Sequence, residues 1–162
     1  MNTDFISIPH AAKAANIPVS PIRMSRHVRC EIMSTICARP PESGGILLGP
    51  IGSNDVTDYF FDGTAHCTYG TYTPDHLTLR RMMKEVWMPS GIDLKGFCHS
   101  HPQAYARLSD GDMLYIRRLL EVNPDMDVFA APIVIPQAFR LQAIVVLADQ
   151  PHIQQPTFLQ LF

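Results

Sequence analysis

The sequence predicts an α/β domain whose mixed sheet is flanked by helices. Strand-like runs, bounded by glycines or rich in Val, Ile and Phe, interleave with stretches whose apolar residues recur at helical spacing. The chain is 162 residues long, enough for one domain with its own core.

Residues 1–23 carry Pro9, Pro18 and Pro21 around an Ala-rich stretch and read as an extended arm. The domain proper is expected over 24–162. Ser25 suits the cap of a first helix running to about Ala38. Val28, Ile32 and Ile36 form its apolar stripe, widened by Met33 and Cys37, and Pro40 and Pro41 stop it. Residues 44–52 read as a buried strand, with 56–62 as its hairpin partner across 52–55. Residues 64–73 have no clear period and read as a loop.

Pro74 suits the first turn of a second helix reaching Trp87, with Leu79, Met82, Met83 and Val86 on its core face. Trp87 reads as core. A strand over 94–100 ends at Pro102, and 103–108 form a connector. A third helix is expected from Ser109 to Val122, stopped by Asn123-Pro124. Two closing strands fall near 128–136 and 139–148. The tail carries Pro151 and Pro156 and ends in an apolar stretch, 158–162, that either packs back on the domain or binds another chain.

Composition narrows the function. The net charge is -2 with no long basic run, which argues against nucleic acid as the main partner. Cys30, Cys37, Cys67 and Cys98 form no C-x-x-C pair, so they read as reduced thiols of a cytoplasmic protein rather than a zinc knuckle. No signal-peptide pattern and no apolar run of membrane-spanning length is present.

The most informative stretch is Cys98-His99-Ser100-His101-Pro102, continuing through Ser109 to Asp112, an H-x-H-x7-S-x-x-D pattern. On an extended chain side chains alternate, so His99 and His101 point the same way and can reach one metal ion. Asp112 offers a third, anionic ligand from the start of the following helix, and three N/O ligands leave a zinc's fourth position open. A plainer reading also holds: H-x-H is common in solvated loops, and Ser109 with Asp112 looks like a helix N-cap followed by an acid in the first turn. The two readings are compatible, because a cap also fixes where Asp112 points. Cys98 and Ser100 are expected to face away.

The pattern resembles the JAMM signature of the MPN+ (JAB domain) zinc metalloproteases. A second stretch, Glu42-Ser43-Gly44-Gly45-Ile46-Leu47-Leu48-Gly49, resembles the same family's E-[ST]-x-G-x-L-x-G segment, and the two occur in the expected order. The resemblance implies a cytidine-deaminase-like MPN/JAB sandwich. The zinc deaminases that share that fold use H-x-E with P-C-x-x-C, and both are absent here. It implies one Zn2+ per chain on His99, His101 and Asp112, Glu42 as the proton shuttle, and Ser109 as the donor to the tetrahedral oxyanion.

The implied activity is an isopeptidase or peptidase cutting amide bonds after the C-terminal tail of a ubiquitin-like protein. The compact chain looks like the prokaryotic branch, found beside activating-type and conjugating-type enzymes, often in anti-phage operons. Processing of a sulfur-carrier protein and a non-catalytic MPN scaffold are the alternatives. All five motif positions are present, which favours the enzyme. A glycine-rich tail offers few side-chain contacts, so the partner is expected to be recognised over a surface as well, with Tyr69, Tyr72 and Tyr105 as candidate anchors.

Overall fold

The computed structural model describes residues 20–39, 42–68, 70–102 and 105–162. Most of the expected arm, 1–19, the Pro40-Pro41 stop, Tyr69 and the start of the connector lie outside them.

The central sheet runs in the order β11-β10-β7-β6-β2-β3, where β2 is Gly44–Pro50, β3 Asp58–Phe61, β6 Ile92–Ser100, β7 Val128–Ala130, β10 Ile144–Leu147 and β11 Gln154–Pro156. The far end of β6 pairs with β8 (Ile133–Ile135), which pairs in turn with β9 (Arg140–Gln142). β7 and β8 run parallel to β6 and the remaining pairs are antiparallel, so the sheet is mixed. The two closing strands expected from the sequence are thus four short ones.

The period-two alternation of the strands sorts the core onto two faces. Leu47, Cys98, Val134 and Val145 meet helix α1 (Arg26–Ile36) through Val28, Ile32, Met33 and Ile36. Ile46, Phe97, Ile133, Ile144 and Val146 meet Trp87 and helix α3 (Asp110–Val122) through Ile116 and Leu120. Ser25 caps α1, its hydroxyl accepting from the Val28 N–H at 3.2 Å. Helices therefore lie on both sheet faces.

Three elements differ from the sequence reading. Residues 64–73 form a hairpin of β4 (His66–Thr68) and β5 (Thr71–Thr73). Helix α2 (His76–Met82) runs on into a wider π-type turn, Met83–Trp87. Widening changes the angle between successive side chains, so Trp87 is buried while Val86, expected on the core face, is exposed. The apolar tail packs back: β12 (Leu159–Leu161) lies parallel to β1 (Ile22–Met24), which makes the end of the expected arm a strand.

β6 positions the site. Leu47 pairs with Gly96 and Leu48 with Leu94, so Lys95 is the extra residue of a bulge. Gly96 has φ +155°, and a Cβ there would collide with the Ala130 carbonyl oxygen. Only glycine lets β6 lie this close to β7. No helix among the described residues is long and apolar enough to cross a membrane.

Candidate metal centre

His99 and His101 extend from the C-terminal end of β6 on one side of the sheet, as alternation requires, and both are buried. Their Nε2 atoms are 2.7 Å apart. Cys98 and Ser100 face the other way. Cys98 sits in the α1-side core, where burial pushes its thiol well above the ordinary range. The Ser100 hydroxyl accepts from the Ser43 N–H at 3.1 Å.

Glu42 enters just before β2, and its N–H donates to the Thr68 carbonyl at 3.0 Å, tying it to the β4–β5 hairpin. Its side chain is buried, and it offers an oxygen that, with one nitrogen from each histidine, forms a set lying within 4.8 Å of one another. Burial pushes its carboxyl up, and the two imidazoles offset part of this.

Asp112 comes from the first turn of α3. Its Oδ1 is 3.4 Å from His99 Nε2 and its Oδ2 is 3.6 Å from His101 Nε2. Burial raises its carboxyl, but the two imidazoles beside it and the hydrogen bond from Ser109 outweigh burial and hold it well below the ordinary range. Ser109 is the N-cap of a complete capping box. Its hydroxyl accepts from the Asp112 N–H at 3.2 Å and donates to Asp112 Oδ2 at 2.7 Å, while its own N–H donates to the same oxygen at 2.8 Å. The Ser109 hydroxyl proton is therefore directed at Asp112, so its direct effect is to fix that carboxylate.

The connector is held from an element the sequence did not mark. Gln154 of β11 donates to the Leu108 carbonyl and accepts from the Leu108 N–H, at 3.1 and 2.8 Å, one residue ahead of the cap.

His101 is oriented by a directed bond. The Tyr105 carbonyl accepts only, so His101 Nδ1–H donates to it at 3.1 Å, leaving the Nε2 lone pair turned to the site. The Tyr105 ring stacks on His101 at 5.8 Å and is exposed, as a surface anchor must be. Tyr72 differs from that expectation. It is only 8% exposed, because its ring lies beneath His99 and its hydroxyl donates inward to Asp62, so it presents no surface to a partner. Tyr69 lies outside the described residues.

Two imidazoles and two carboxylates thus converge. Such a donor set fits a divalent cation, and Glu42, His99 and His101 are a possible metal-binding group.

Comparison with solved structures gives the same architecture. A protein of Desulfitobacterium hafniense matches over 86% of this chain and 92% of its own, with TM-score 0.61 and 18% identity. A Salinibacter ruber protein matches over 85% and 89%, with TM-score 0.56 and 22% identity. A JAB1/MPN domain protein of Archaeoglobus fulgidus matches over 88% and 99%, with TM-score 0.53 and 14% identity. No protein-family model and no curated protein matches the sequence. The class defined by fold is accordingly an α/β domain similar to a JAB1/MPN domain.

Proposed function

We propose that this chain is a zinc-dependent peptidase or isopeptidase that cuts amide bonds after the C-terminal tail of a ubiquitin-like protein. The observation that carries the reading is the convergence of Glu42, His99, His101 and Asp112 at the end of β6 and the start of α3. His99, His101 and Asp112 would hold the zinc, which supplies Lewis acidity to polarise the scissile carbonyl and to activate water.

The chain's own residues do the rest. Glu42 accepts the proton of the attacking water on a carboxylate oxygen and returns it to the leaving amine. Burial raises its carboxyl, which suits a group that must both take and give a proton. Ser109 holds Asp112 through the capping box, and donates to the developing oxyanion only if its hydroxyl turns from Asp112 Oδ2. An extended tail binding as an added strand would leave its last peptide at the site. Tyr105, exposed beside His101, is the anchor retained for the folded body of the partner. The setting proposed is a cytoplasmic prokaryotic ubiquitin-like pathway of anti-phage type, with activating-type and conjugating-type enzymes as companions.

Glu42→Gln tests the assignment, because Glu42 lies as near the ring nitrogens as a ligand would. The expected protein retains one zinc per chain by elemental analysis and loses cleavage of a ubiquitin-like fusion by about 100-fold or more. Loss of zinc makes Glu42 a ligand instead, and undiminished cleavage removes it from the mechanism.

A further inference from the structure

The two imidazoles that meet at the site are held by different means. His101 has the Tyr105 carbonyl as acceptor for its second ring nitrogen. His99 is more deeply buried, and its Nδ1 has no hydrogen-bond partner among the described residues. A ligand imidazole ordinarily gives its outer N–H to an acceptor, which fixes the ring. Without one, the torsion of an imidazole about its last side-chain bond is broad and must be restricted by packing.

The packing is specific. The Tyr72 ring lies against His99 with centroids 5.7 Å apart and planes 17° from parallel. Phe97 closes a second side at 5.4 Å and 55°. Tyr72 is itself pinned: its hydroxyl donates to Asp62 Oδ2 at 3.3 Å. Asp62 is 2% exposed and also accepts from the Asp75 N–H at 3.0 Å and the Thr64 hydroxyl at 3.3 Å. Beneath the ring, Gly44 is paired with His99 across β2 and β6. A Cβ at Gly44 would stand 2.8 Å from Tyr72 Cζ, so glycine there gives the ring its place.

We infer that Tyr72, held by Asp62, is a positioning residue that orients His99 toward the site. A flat ring does for His99 what a hydrogen bond does for His101. Rotation of the imidazole out of the stacked plane drives its edge into the phenol, so His99 Nε2 stays aimed at His101 and Asp112. The inference rests on the reading of His99 as a metal ligand.

The test uses the full chain and reads metal, not turnover. Zinc affinity is measured by chelator competition, and the visible absorption of the Co2+-loaded protein reports ligand geometry. Tyr72→Met fills much of the ring's volume with no flat face. It is expected to bind zinc about 10–100-fold more weakly, with a changed cobalt spectrum. Tyr72→Phe keeps the face and loses the tie to Asp62, and is expected to fall between Tyr72→Met and the wild type. A purely structural role would lower the melting temperature and leave the cobalt spectrum of the folded protein unmoved, which overturns the inference. Should Tyr72→Met not fold, Tyr72→Phe decides, and wild-type affinity with a wild-type spectrum overturns it. Failure of the wild type itself to bind zinc overturns the metal reading underneath.

Discussion

At Gly96 the backbone of β6 passes so close to Ala130 that no side chain fits between them. Gly96→Ala must push β6 from β7 or strain a backbone at φ +155°, and the histidines lie three and five residues further along. The expected loss is about 3 kcal/mol or more in urea denaturation. A loss under about 1 kcal/mol would mean that the strands separate easily. Individual residues differ in how far the sequence exposed them. The convergence of His99 and His101 was legible, because side-chain alternation is a local property of an extended chain. The tie from Asp62 through Tyr72 to His99 was not, because it depends on which strand the hairpin lies against. The clamp of Gln154 on Leu108 joins residues 46 apart and carries no sequence signal.

Among the elements, α3 was the most legible, since Ser109 and Asp112 announce its start by capping chemistry. The same capping box sets the direction of Asp112, so stability and site geometry are coupled there. Ser109→Ala is expected to cost about 1 kcal/mol in thermal or urea unfolding. It should also weaken zinc binding, because Asp112 Oδ2 loses the hydroxyl donor. Loss of stability with unchanged zinc affinity would separate the two roles. The β4–β5 hairpin is hidden in the sequence, where residues 64–73 show no clear period, and its six strand residues are mostly exposed and polar. Its pairing comes from neighbours, with Thr68 receiving the Glu42 N–H and Tyr72 filling the space over Gly44. The π-type turn after α2 was equally hidden, since Val86 and Trp87 are both apolar and spacing alone favoured Val86.

At the scale of the whole molecule, the two-faced core fixes a response to alkali. Burial pushes the Cys98 thiol and the Tyr59 phenol above their ordinary values of 9.0 and 10.0. Both stay protonated in the fold and ionise on unfolding. Above about pH 9 the unfolded chain therefore binds fewer protons, and stability falls as pH rises. It is retained in full below that range. Each group contributes a slope of up to about 1.4 kcal/mol per pH unit. The urea midpoint should decline between pH 9 and 11, and a flat profile would show that these groups reach solvent without unfolding. The parallel pairing of β1 with β12 bears on synthesis as well. Ile22 is made well before its partner Leu159, which is far along the chain from it. Until then β1, whose Ile22 and Met24 are buried in the finished protein, is held only on its other edge, by the Val56 backbone. The nascent chain thus carries β1 with one edge open until the segment around Leu159 has been made, and this long-range pairing closes late in folding.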